Sequence, residues 1–173
     1  MKRCVIDTNV LITANKVLSC PSDGDVSLYP DLLEKCVKIL LQIKKKRTYV
    51  VLDTDDEIYG EYKKYLNFSG QPGVGDIFFK WLNDNRYSFP DTERISLHKE
   101  DHGYLEFPPE MYDVNVDPSD MIFFAVSNAH KYKPVILEAT DAKWWNWKDA
   151  AKKFGIHIMF IDEQYMRDHN PIK

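Results

Sequence analysis

The chain has 173 residues, 44% of them apolar and 29% charged, and a formal net charge of −4. That length suits one domain with a sizeable core, and the composition is that of an ordinary globular protein. No run of eighteen apolar residues occurs, which excludes a hydropathic membrane span, while the acidic balance neither announces nor excludes a nucleic-acid binder, since a carboxylate site lowers the net charge that a metal neutralises locally.

Met1-Lys2-Arg3 leads directly into a strand, leaving no room for a signal peptide on this reading. Cys4, Cys20 and Cys36 lack metal spacing and are expected to be reduced thiols of a cytoplasmic protein. The first element is the apolar run Cys4-Val5-Ile6, which stops at Asp7 and is followed by Thr8-Asn9 and apolar Val10-Leu11-Ile12. Residues 19–30 are rich in Ser, Pro, Asp and Gly and read as a loop. Asp31 to Lys46 carries an apolar stripe through Leu32, Leu33, Cys36, Val37, Ile39, Leu40 and Ile43, closed by Lys44-Lys45-Lys46-Arg47. That pattern predicts a helix with cations at its C-terminal dipole, a reading preferred to a phosphate-contact patch.

Thr48 to Leu52 is a second apolar strand, ending at Asp53, and a helix is expected from about Asp56 to Asn67, with Ile58, Tyr62, Tyr65 and Leu66 on one side. A Gly/Pro loop over 69–75 precedes a short aromatic helix near 76–82. Residues 83–116 contain Pro90, Pro108 and Pro109 and too few apolar residues for a core of their own. They read as an irregular insertion in a single domain spanning 1–173, with an edge strand near Arg94–His98. Asp117-Pro118 predicts a helix start, Asp at the N-cap and Pro at N1, running into Met121-Ile122-Phe123-Phe124-Ala125-Val126. Then follow a strand at Val135–Leu137, a turn through Thr140 and Asp141, a helix at Trp145–Phe154 stopped by Gly155, and a strand at Ile156–Ile161.

Continuous apolar strands separated by helices imply an α/β fold, three layers deep, with a central parallel sheet of four or five strands. Acids recur at or just beyond the strand ends, at Asp7, Asp53, Asp141 and Asp162, and at helix starts, at Glu57, Glu61 and Asp120. All belong to one rim, the rim where open α/β sheets bind ligands. A buried carboxylate is costly unless compensated, and Asp, Glu and Asn without His or Cys partners make an oxygen-only donor set suited to Mg²⁺ or Mn²⁺. Such ions serve phosphate chemistry by activating water and stabilising the attacking and leaving oxygens.

Four segments taken together resemble the PIN-domain nucleases. The strand ending Ile6-Asp7-Thr8-Asn9-Val10-Leu11 matches the first family signature, and Glu61-Tyr62-Lys63-Lys64-Tyr65-Leu66 the second, an acid early in a helix. Asp120-Met121-Ile122-Phe123-Phe124-Ala125 matches the third and Val135-Ile136-Leu137-Glu138-Ala139-Thr140-Asp141 the fourth. The resemblance implies a Rossmann-like PIN fold and a metal-dependent ribonuclease. Asp7, Glu61, Asp120 and Asp141 would then be both catalytic acids and Mg²⁺ or Mn²⁺ ligands, with Thr8, Asn9, Glu57 and Thr140 in support. It further implies single-stranded RNA as substrate, a toxin–antitoxin or RNA-processing role, an antitoxin or other protein partner, and a homodimer. A second acid often lies two residues past the fourth position in that family; Lys143 stands there in this chain.

Each position also has a purely structural explanation. Asp7 could be a strand-end acid satisfying nearby backbone donors, Asp141 could cap the next helix, Thr8 and Asn9 could be turn formers, and Asp120 could sit at N3 behind an Asp117 cap. Glu57 and Glu61 lie one helical turn apart on one face, so either could be the helix acid. Trp144, Trp145 and Trp147 read as packing between helix and sheet in preference to stacking platforms for bases, and the five histidines have no partner at catalytic spacing. Two other functions compete. Asp53-Thr54-Asp55 suggests a haloacid-dehalogenase-type phosphotransferase, but Glu57 occupies the fifth place where that chemistry wants Thr or Val. A non-catalytic PIN-like interaction module is the other.

Overall fold

The computed structural model describes residues 1–16 and 29–170. The expected loop over 19–30 lies outside them except for its last two residues, as does Cys20. Strand β1 (Arg3–Ile6) is followed at once by helix α1 (Thr8–Asn15), which Asp7 caps by accepting from the Asn9 backbone N–H at 2.8 Å. The segment first read as a turn and an apolar run is therefore a helix. Helix α2 (Pro30–Lys46) has Pro at its first turn and ends on Arg47 in the left-handed region, with three lysines in the last turn. The basic run is a helix end, as expected from dipole complementarity.

The second predicted strand divides. Strand β2 (Tyr49–Val50) pairs with β1, whereas β3 (Leu52–Asp53) leaves that sheet and pairs in parallel with β4 (Arg94–Ile95). Helices α3 (Glu57–Tyr65) and α4 (Val74–Asn85) follow β3. Gly75 makes the α1–α4 contact possible, because a Cβ there would fall 2.1 Å from the Leu11 carbonyl oxygen. The middle segment holds short 3-10 turns and an antiparallel ribbon, β5 (Lys99–Glu100) with β6 (Gly103–Tyr104). Its apolar residues Phe107, Met111 and Val116 join the main core.

Helix α5 (Met121–Ala129) packs on β1 and on strand β7 (Val135–Glu138). The predicted start of this helix needs correction. Asp117 to Asp120 form a hydrogen-bonded turn, Asp120 N–H to Asp117 C=O at 2.9 Å, and Asp120 is the N-cap residue. Pro118 thus rigidifies a turn before the helix instead of opening it. Helix α6 (Trp144–Lys153), strand β8 (Ile158–Phe160) and helix α7 (Glu163–His169) complete the chain, with Gly155 at φ +73° as the stop after α6.

Among the described residues, the main sheet has four parallel strands in the order β2-β1-β7-β8. Cys4, Val5, Ile6, Ile136 and Leu137 have no exposed surface. Successive strand residues face opposite sides, so both faces of the central strands are covered. Among the described residues, no helix is long and apolar enough to cross a membrane.

Candidate functional site

Parallel strands bring their C-terminal ends to one rim, and the register decides which residues meet there. Ile6 pairs with Leu137, and the Asp7 N–H donates to the Leu137 carbonyl at 2.9 Å. One step further along, Asp7 and Glu138 are neighbours. Both are almost fully buried, at 3% and 0% exposure. Glu138 Oε1 accepts from the backbone N–H groups of Thr140 at 2.9 Å and Asp141 at 2.8 Å, which shapes the turn carrying Asp141. Oε2 has no donor from the described residues. Burial, and then the Asp7 charge, push the Glu138 carboxyl well above its usual range, and burial raises Asp7 as well. Two adjacent carboxyls out of water cannot both ionise. A protonated Glu138 that donates to Asp7 satisfies both groups.

The turn before α5 and the turn after β7 bring three more acids together. Asp117, Asp120 and Asp141 each offer one carboxylate oxygen, all within 4.8 Å of one another, and all three side chains are half-buried. Burial, followed by the negative charges of Asp7, Asp141 and Asp117, pushes the Asp120 carboxyl up to about 7. The buried Trp144 indole N–H offsets part of that rise without closing a hydrogen bond of ordinary geometry. Trp144 is itself held by stacking on Phe124 at a centroid separation of 4.7 Å. A cation lies against the group: Lys143 Nζ is 2.7 Å from Asp117 Oδ2. Asp141 also accepts from the Lys143 backbone N–H, at 3.1 Å.

The other expected site residues fall elsewhere. Glu61 is outside the three-carboxylate group and pairs with Lys64 on the surface of α3. Glu57 accepts from Tyr104 Oη at 3.2 Å and pairs with Lys99 at 3.1 Å. Asp53 accepts the backbone N–H groups of Glu57 at 2.7 Å and Ile58 at 2.9 Å, so its oxygens hold the start of α3. An Asp so engaged is poorly placed to act as the nucleophile of a phosphotransferase. Thr8 is buried with its hydroxyl unpaired among the described residues, Asn9 supplies the backbone donor to Asp7, and Thr140 supplies one to Glu138. Asp162 caps α7 and pairs with Lys35 at 2.5 Å.

Two members of this rim, Asp117 and Glu138, were not among the site residues expected from the sequence. Glu138 had a visible signal, being the one charge inside the apolar run Val135–Ala139. Asp117 had a weaker one, two acids in the four-residue segment Asp117-Pro118-Ser119-Asp120. The tryptophans resolve as packing: Trp144 and Trp147 are buried, and Trp145 is half-buried beneath Lys148. Comparisons with protein-family models, with curated proteins and with solved structures each find no match to this chain.

Proposed function

We propose that this chain is a metal-dependent phosphodiester hydrolase of PIN type that cuts single-stranded RNA. The observation that carries the reading is the group of Asp117, Asp120 and Asp141 at the carboxyl rim of the parallel sheet, three oxygen donors within 4.8 Å. Covered faces on a four-stranded parallel sheet support the three-layer, PIN-like architecture. The all-oxygen donor set fits Mg²⁺ or Mn²⁺, and crowding of like charge around Asp120 is the electrostatic condition that a cation relieves.

On this reading Asp120, Asp141 and Asp117 would hold one ion, with Asp117 taking the part expected of Glu61. When bound, a divalent ion supplies Lewis-acid stabilisation of phosphoryl charge and a water of lowered pKa. Asp7 stands behind the group and adds negative potential to Asp120. Glu138 fixes the Asp141 turn through its two backbone acceptances. Lys143 neutralises Asp117 at the place where a second metal's acid would stand, which favours one ion over two.

Cleavage of labelled single-stranded RNA in Mn²⁺ or Mg²⁺ tests this directly. Metal-dependent cutting is expected, reduced about 10²-fold or more in Asp120→Asn and in Asp141→Asn, since each ligand supports several kcal/mol of charge stabilisation. A folded wild type that neither cuts nor gains thermal stability from Mn²⁺ would overturn the proposal in favour of a non-catalytic interaction module.

A further inference from the structure

Beside the acidic group lies a cavity of about 480 Å³, within the range of small-ligand sites. Pro118 and Met121 form one of its walls, and these residues immediately flank the Asp117–Asp120 turn. The remaining walls come from the β5–β6 ribbon, from Tyr112 and from Glu57.

Each wall is held in place. Gly103 adopts φ +138°, and a Cβ there would meet Met121 Sδ and Tyr112 Oη at 3.1 Å, so the ribbon can approach α5 only with glycine at this position. The Tyr112 ring rests edge-on against buried Phe107 at 4.8 Å, and its hydroxyl donates to the His102 carbonyl at 3.2 Å. An aromatic ring fixed in this way is a preorganised stacking surface. Opposite chemistry stands at Glu57. Lys99 Nζ and Tyr104 Oη both bond its Oε2, leaving Oε1 without a donor among the described residues.

We infer that this cavity is a nucleobase subsite that seats a guanine next to the scissile phosphate. This assignment rests on the hydrolase reading of the neighbouring carboxylates. The Watson–Crick edge of guanine offers two adjacent N–H donors and one carbonyl acceptor. For guanine to seat, the exposed Lys99 ammonium, 3.1 Å from Oε2, turns to the base carbonyl, so that both Glu57 oxygens accept the paired donors and the ammonium meets the acceptor. Uracil, with one N–H donor between two carbonyls, lacks the paired donors. Tyr112 supplies stacking that any base can use, so selectivity falls to Glu57 and Lys99. Because Pro118 adjoins Asp117 and Met121 adjoins Asp120, a base in the cavity would place its phosphate toward the rim.

The test is titration of the intact chain, without metal, with guanosine and uridine monophosphates, followed by protein NMR shifts or calorimetry. Guanosine monophosphate is expected to bind about tenfold more tightly than the uridine nucleotide. Glu57→Gln should erase that preference. Tyr112→Ala should weaken both nucleotides, and Tyr112→Phe, which keeps the ring, should restore them. Equal binding of the two nucleotides, or none by a wild type whose melting is normal, would overturn the subsite. RNA cleavage is scored separately: a wild type that binds guanosine monophosphate but cuts nothing sinks the hydrolase reading and keeps the pocket.

Discussion

At the scale of single residues the molecule is governed by how much negative charge it keeps out of water. Asp120, raised to about 7, holds its proton in the folded chain across a pH range where the unfolded chain has released it. Between about pH 4 and 7 the folded state therefore binds more protons, and stability falls as pH rises. Asp7 and Glu138 are raised too and act in the same direction. Metal-free protein is thus expected to melt at lower temperature at pH 8 than at pH 5.5, and Asp120→Asn should flatten that slope. The recovered stability at pH 8 is on the order of 1–2 kcal/mol after allowance for screening. Glu138 allows a sharper contrast. Glu138→Gln keeps the acceptor for Thr140 and Asp141 and gives Asp7 an amide donor, so it should fold with near wild-type stability in chemical denaturation. Glu138→Ala leaves two half-buried N–H groups without their acceptor and should cost about 1–3 kcal/mol.

At the scale of elements, the position of the rim depends on how helices are started and how closely they pack. Asp53 is the last residue of β3 and takes two N–H groups of α3, so it joins a strand end to the next helix. Asp53→Ala should cost about 1–2 kcal/mol, read from the denaturation midpoint. Gly75 is the stricter constraint. Gly75→Ala would drive a methyl into the Leu11 carbonyl at 2.1 Å, so α4 must move off α1. A loss of about 3 kcal/mol or more is expected, seen as a drop in melting temperature with the α1 amides exchanging faster. Helix α3 shows where periodicity misdirects: Tyr65, placed with the apolar side, is 59% exposed, while Tyr59 is buried against Phe79. Ile58, Tyr62 and Leu66 are buried as the stripe predicts, and Tyr59 joins them through its ring contact with Phe79 of α4.

At the scale of the whole molecule, metal binding and proton binding compete for the same carboxylates. Mn²⁺ should raise the melting temperature more at pH 8 than at pH 6, opposite in slope to the metal-free protein, because Asp120 must give up its proton to act as a ligand. Calorimetric affinities at the two pH values check this. An affinity independent of pH, or unchanged in Asp120→Asn, would place the ion elsewhere.

Much of the architecture was legible because it follows from short-range physics. Apolar runs that stop at acids marked β1 and β7, a 3.6-residue stripe marked α2, and Gly155 marked the end of α6. Those same acids drew attention to Asp7, Asp120 and Asp141. What the sequence could not show is which acids meet. That depends on the register that sets Asp7 beside Glu138, on the turn that swings Asp117 toward Asp141, and on β3 leaving the main sheet to begin α3. Distances between groups far apart in the chain are decided by packing of the whole core, so Glu61 could match a motif by spacing and still lie outside the group of Asp117, Asp120 and Asp141.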